Sequence, residues 1–261
     1  MNKNIFKFEV TDKFDKFCYA KSIPLVDFIL LHKDFLPYLC EVLTSFYSIN
    51  SIHEIGRRGK TRFDIFIKTL DFDNEDNNLY IDEFKKIILN AYDIESHYPN
   101  ESYDGLQERL SKVRGTILEL LMEKIIRPRF EASREFPNRI FAKGCKIIFY
   151  GKELTLSNRV SVDIAGWDGE CGEFYEMKVG PKNFDETVLK LLSYIKTELD
   201  KKKVNNIVGC ITMVNKNKLE TQIESVRQNY GVDIFNNSIK IFGKQELLSL
   251  ANRENIFRML N

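Results

Sequence analysis

Two short stretches of alternating character, separated by a glycine-flanked turn, constrain this chain more than any other feature. Val162-Asp163-Ile164-Ala165-Gly166-Trp167 reads as one β-strand, and Gly172-Glu173-Phe174-Tyr175-Glu176-Met177-Lys178-Val179 as the next. Side chains alternate across a strand, so Glu176 and Lys178 share one face and Glu173 takes the other, where it reads as a hairpin-edge carboxylate. Asp168 and Glu170 fall in the turn and belong to solvent. A bare carboxylate between Val162 and Ile164 is costly unless it is paired, hydrogen-bonded or metal-bound. Two carboxylates and a lysine gathered at one end of such a hairpin can hold a hard divalent cation and activate a water beside it. Each part taken alone has an ordinary explanation: Glu-x-Lys is a common ion pair on an exposed strand, and Asp163 can cap a turn.

The rest of the pattern gives the hairpin its setting. Asn4 to Val10 alternates like a strand, Asp34 to Tyr47 has helical spacing, Thr61 to Leu70 alternates again, and Leu79 to Tyr92 reads as a helix. The polar segment His97 to Gly105 marks a boundary. It separates an α+β N-terminal region, residues 1–105, from a second domain, residues 106–261. The second domain opens with a helix from Leu106 to Ile126, ended by Pro128. Strands follow at Cys145 to Tyr150, Arg159 to Ala165 and Glu173 to Val179, then an amphipathic helix from Asp185 to Leu199. The nearly continuous apolar run within Val204 to Val214 suits a strand buried on both faces. A helix from Leu219 to Tyr230, a strand from Ile239 to Phe242 and a last helix from Gln245 complete the chain. This order predicts an α/β fold with a mixed central β-sheet flanked by helices.

The spacing Asp163…Glu176-Met177-Lys178, behind a helix carrying Gly115…Glu119, resembles the PD-(D/E)xK superfamily of restriction-endonuclease-like nucleases. The resemblance covers roughly residues 106–245. It implies a restriction-endonuclease-like core in which Asp163 and Glu176 bind Mg2+ or Mn2+. Glu119 joins them directly or through water, with Glu123 one turn further on as the alternative. Lys178 orients or helps deprotonate the attacking water and offsets charge on the phosphate. The implied reaction is hydrolysis of DNA phosphodiester bonds, with RNA as a further substrate class these residues do not separate. Members commonly serve DNA repair, restriction or anti-phage defence, which implies a partner ATPase or helicase, or a second copy of the chain. Two departures stand out. Valine, not the frequent proline, precedes Asp163. Where one branch has Gln-x-x-x-Tyr on the following helix, Tyr194 matches but Lys190 replaces the glutamine; both are candidate nucleic-acid contacts. The alternative is a non-catalytic binding module that keeps the fold and uses the acidic cluster structurally.

The formal net charge is +1, so any nucleic-acid surface is local. Basic clusters lie at Arg57-Arg58-Gly59-Lys60-Thr61-Arg62, at Lys124…Arg127-Pro128-Arg129 and at Lys201-Lys202-Lys203. The first, with Arg57, Arg58 and Lys60, is the most suggestive because Gly56 and Gly59 let backbone approach a phosphate, though charge runs are usually solvated faces. The acidic run Asp71 to Asn78 offers no register of a calcium loop. Cys18, Cys40, Cys145, Cys171 and Cys210 form no Cys-x-x-Cys element, which argues against zinc and for a reduced, cytoplasmic setting. Residues 1–6 lack the apolar core of a secretory leader, and no apolar run is long enough to span a bilayer.

Overall fold

The computed structural model describes residues 5–13, 15–55, 60–69, 78–231 and 238–251. In chain order the elements are β1 (Phe6–Val10), α1 (Lys16–Leu31), α2 (Leu36–Ser45), α3 (Arg62–Thr69), α4 (Asn78–Tyr92), α5 (Tyr103–Ile126), β2 (Ile140–Phe149), β3 (Lys152–Glu153), β4 (Val162–Trp167), β5 (Cys171–Lys178), α6 (Glu186–Lys201), β6 (Asn205–Thr212), α7 (Lys216–Tyr230) and β7 (Lys240–Phe242). The fold is α/β, with one mixed seven-stranded sheet and flanking helices. No helix among the described residues is long and apolar enough to cross a membrane. Where a last helix is predicted from Gln245, residues 245–248 form turns and Ser249–Ala251 a short 3-10 helix; residues 252–261 lie outside the described residues.

The chain divides into two compact units, Met1–Lys13 with Met122–Asn261, and Phe14–Leu121. The division falls inside α5 and not at residue 105 as the polar segment suggests. The physical reasons are local. β1 hydrogen-bonds to β2, which carries the first residues into the sheet. The early turns of α5 bond instead to α1 and α2: Ser22 Oγ donates to Val113 O, and Arg114 Nε donates to Leu43 O at 2.9 Å.

Among its described residues the regular elements of the unit Phe14–Leu121 are all helices, with an isolated bridge between Ile55 and Thr61; the strand expected at Asn4 to Val10 is β1 of the other unit. Asp15 caps α1 by accepting from Cys18 N at 3.0 Å. Phe28, Phe35 and Phe84 form a ring cluster, with centroid separations of 5.1, 5.7 and 5.1 Å. Buried polar groups serve the carbonyls left over at helix ends: Lys21 Nζ donates to Asn90 O at 2.8 Å and Tyr92 Oη to Phe46 O at 2.5 Å. The predicted strand at Thr61 to Leu70 is the helix α3. Phe63 and Ile67, one turn apart, are buried, whereas Ile65 is exposed. Thr61 Oγ1 accepts from Asp64 N at 3.0 Å, so Thr61 and Asp64 fix the helix start.

In the other unit the strand order is β1-β2-β4-β5-β6-β7, with β3 attached to β2. The first four strands of that path pair antiparallel, and β5-β6-β7 pair parallel. β6 carries the apolar run Ile207 to Ile211 and is enclosed on both faces. Asp185 caps α6 by accepting from Val188 N at 3.0 Å. The stripe Val188, Leu191, Leu192, Ile195 and Leu199 packs with Phe174, Val208 and Cys210 of the sheet, joined by Leu219, Ile223 and Val226 of α7.

One glycine shapes the sheet beside the hairpin. Lys143 faces Ile164 and Cys145 faces Val162, so Gly144 stands across from Asp163. Its φ is +53°, and an added Cβ would fall 2.1 Å from Asp12 Oδ2. Its carbonyl accepts from Thr11 N and Asp12 N at 2.8 and 3.2 Å. Gly144→Ala therefore combines left-handed backbone strain with a clash. We expect it to destabilise the fold by about 1–3 kcal/mol, read from urea denaturation midpoints; an unchanged midpoint would contradict this account.

Candidate functional site

The antiparallel register of β4 and β5 pairs Ile164 with Tyr175 and Ala165 with Phe174. One further step brings Asp163 opposite Glu176, on the face that Phe174 presents to α6. The two acids meet there. Met177 N donates to Asp163 Oδ2 at 2.7 Å. Lys178 Nζ lies 3.2 Å from Asp163 Oδ2 and 3.2 Å from Glu176 Oε2, bridging the pair. Alternation on the strand thus delivers the three side chains to one place, as the hairpin suggests.

A fourth member is absent from the sequence reading. Arg159 reaches Glu176 Oε2 at 2.5 Å. It sits in a turn closed by the bridge between Leu156 and Arg159. Arg159 is four residues before Asp163, an even spacing that returns an extended chain to the same face, and that was the available signal.

Glu176 is fully enclosed, with no exposed side-chain surface, whereas Arg159 is about a quarter exposed at 25%. Glu176 Oε1 is buried and has no hydrogen-bond partner among the described residues. Burial first, then the neighbouring Asp163, pushes the Glu176 carboxyl up to about 7, against the opposing pull of Lys178 and Arg159. For Lys178, burial would lower the ammonium, but Asp163 and then Glu176 outweigh it and hold it above its ordinary value. Lys178 is therefore a cation at neutral pH.

The raised Glu176 carboxyl has a consequence for stability. Between the unfolded carboxylate range and about pH 7 the folded chain binds more protons than the unfolded one, so stability falls as pH rises through that window. The ionised form is then disfavoured in the fold by up to about 3 kcal/mol. Glu176→Gln is expected to flatten this part of the pH–stability curve of the metal-free protein. An identical slope in urea melts from pH 4.5 to 7.5 (a span of roughly the shift itself) would sink the assignment.

Glu119 is half-buried on the part of α5 that belongs to the unit Phe14–Leu121. Glu123 is engaged by Arg127 and, at 3.1 Å, by Lys143. Among the described residues no group of three or more His, Cys, Asp or Glu side chains is disposed to hold a metal ion. Any cation at the hairpin thus has two carboxylates from this cluster, the number Mg2+ commonly takes when water and phosphate complete its shell. Lys190 is paired with Glu186 on α6. Tyr194 packs at the edge of the core, with Lys152 Nζ 5.4 Å from its ring. Arg57 and Arg58 lie outside the described residues, as does most of the acidic run 71–78; Lys60 is exposed.

Glu173 is not an open hairpin-edge carboxylate. It is fully enclosed on the opposite face of β5, with Arg129 Nη2 at 2.6 Å and the Tyr175 hydroxyl donating to it at 2.8 Å. Arg129 also donates to Leu250 O. This arginine, read as part of a basic cluster, is thereby committed to the interior.

An α/β chain with a mixed sheet and a buried acid–base cluster at the end of its central hairpin is what the fold and site define. No protein-family model and no curated protein matches the chain. Among solved structures it is similar to the crystal structure of protein VC1899 from Vibrio cholerae, at 14% identity and a TM-score of 0.40. The match covers 98% of this chain and 59% of that one, so this chain spans less than two thirds of its length.

Proposed function

We propose that this chain is a divalent-metal-dependent phosphodiester hydrolase acting on nucleic acid, with a restriction-endonuclease-like core. One observation carries the reading: Asp163, Glu176 and Lys178 converge, and Glu176 keeps a buried oxygen, Oε1, with no hydrogen-bond partner among the described residues. A buried, unpartnered carboxylate oxygen is costly unless something binds it. The hard oxygens of Asp163 and Glu176 fit Mg2+ or Mn2+. Such an ion supplies neutralisation of phosphoryl oxygens and acidifies water.

The chain's own residues supply the rest. Asp163 is held in place by Met177 N, so the backbone of β5 fixes its orientation. Lys178, a cation bridging both acids, positions the attacking water and offsets negative charge growing on the phosphate. Water attacks phosphorus in line and forms a new P–O bond, its proton passing to solvent; the opposite P–O ester bond breaks, its oxygen leaves as a hydroxyl after taking a proton from solvent, and no covalent enzyme intermediate forms. Glu176 must lose its proton to bind metal, so metal binding weakens as pH falls through about 7.

A second reading has its own support. Two acids and two cations neutralise one another here, as in a purely structural network that ties β4 to β5. The test is a nuclease assay over Mg2+, Mn2+ and Ca2+ on duplex DNA, single-stranded DNA and RNA, run beside Asp163→Asn. Cleavage that needs Mg2+ or Mn2+ and is lost in Asp163→Asn supports hydrolysis and names the substrate. Absence of nicking on all three, with no metal bound, returns the cluster to a structural role.

A further inference from the structure

We propose that Arg159 is a gate on the metal site: it neutralises Glu176 while no divalent cation is bound, and turns to a phosphodiester oxygen of the substrate when one is. This rests on the hydrolase reading above and adds that metal and substrate load together.

The charge count leads to it. With both acids ionised, Asp163 and Glu176 carry two negative charges and Lys178 and Arg159 two positive ones, while Asp185, the further acid that attracts Arg159, is engaged in capping α6. A dication added to this balanced, largely enclosed group leaves two uncompensated positive charges, which is costly in an interior. Either a cation must let go or an anion must arrive. A phosphodiester group is such an anion.

The geometry says which cation moves. Lys178 bridges both acids at 3.2 Å each, so its departure would strip two carboxylates at once. Among the described residues Arg159 makes one side-chain hydrogen bond, to Glu176 Oε2, the oxygen that Lys178 already serves. It can leave with Glu176 still neutralised. Arg159 sits in a turn outside the strands and is a quarter exposed, whereas Arg129, on the opposite face, is pinned by both Glu173 and Leu250 O. Arg159 Nε is buried and has no hydrogen-bond partner among the described residues, so the guanidinium fork is only partly used. A planar fork of this kind suits two phosphate oxygens.

The test is Mn2+ binding to the full chain by electron paramagnetic resonance at pH 8, without nucleic acid. Arg159→Gln should bind Mn2+ about tenfold more tightly than wild type, because a charge-assisted competitor for Glu176 is gone. Arg159→Lys should fall between, and Glu176→Gln should lose binding. Saturating dimethyl phosphate, a minimal phosphodiester, should tighten Mn2+ binding in wild type but not in Arg159→Gln. If Glu176→Gln loses Mn2+ while a folded Arg159→Gln binds it no better than wild type, the gate is overturned and the metal site stands. If no Glu176-dependent Mn2+ binding exists in any chain, the hydrolase reading falls and the gate with it. Nitrogen-15 spectra of the arginine side chains cover the case of a misfolded variant: wild-type Arg159 should lose its hindered guanidinium rotation on Mg2+ addition. A guanidinium unchanged at saturating Mg2+ would also overturn the proposal.

Discussion

Lys178→Met is expected to lower metal-dependent cleavage by about 10²–10³-fold, and Glu176→Ala to abolish it. Lys178 is the cation shared by Asp163 and Glu176, and in the proposed reaction it would offset negative charge growing on the phosphate. Methionine keeps much of the aliphatic volume and removes the charge. Glu176 is the group Lys178 leans on, and under the proposed function it would also supply a ligand oxygen, so its loss would remove both. The measurement is single-turnover cleavage in saturating Mg2+, with circular dichroism confirming the fold. Undiminished cleavage by both variants would end the assignment of these residues to the chemistry.

On the other face of β5, Arg129→Ala should destabilise the fold by about 3–5 kcal/mol without a direct effect on that chemistry. The substitution leaves Glu173 fully enclosed without its arginine and takes away a donor to Leu250 O. The Tyr175 hydroxyl, which burial holds protonated by raising its pKa well above the ordinary value, still donates to Glu173 but cannot neutralise it. Replacing Arg129 and Glu173 together by leucine should cost much less, since no lone charge remains. Urea denaturation of the single and double variants reads the difference. An equal loss in both would mean that packing, and not charge, dominates at this position.

The contrast between the two glutamates on β5 shows what can be read from sequence and what cannot. Strand parity separated Glu173 from Glu176 correctly, and the alternation placing Glu176 with Lys178 survives in three dimensions. Parity says nothing about what covers each face. The partner that encloses Glu173 comes from Arg129, far away in the chain, so an open edge was inferred where a buried ion pair exists. Elements with a one-sided apolar stripe, such as α6, were legible from their spacing. α1 gave no such signal, because its apolar residues surround it and Pro24 interrupts the pattern. In α3, alternation over Phe63, Ile65 and Ile67 also satisfies a helix that buries only the outer two, and the Thr61–Asp64 pair, a helix-start signature, is the better guide. Arg159 stands in a turn before β4, so its even spacing to Asp163 is the one sign of a shared face, and spacing alone does not name Glu176 as its partner.

β1 gives the sheet an awkward birth order. The strand that emerges first during synthesis must wait until β2 has been made before it can pair, with Phe6 finding Phe149 and Val10 finding Cys145 across the whole intervening helical unit. Closing so long a loop adds only slowly to the entropic cost but makes the pairing one of the most non-local in the chain. Until it forms, one side of β2 is an unpaired ladder, and Phe6 is missing from its ring contacts with Phe149, Trp167 and Phe174. A chain begun at residue 14 would keep that ladder open for good, inviting a neighbouring molecule to donate the missing strand.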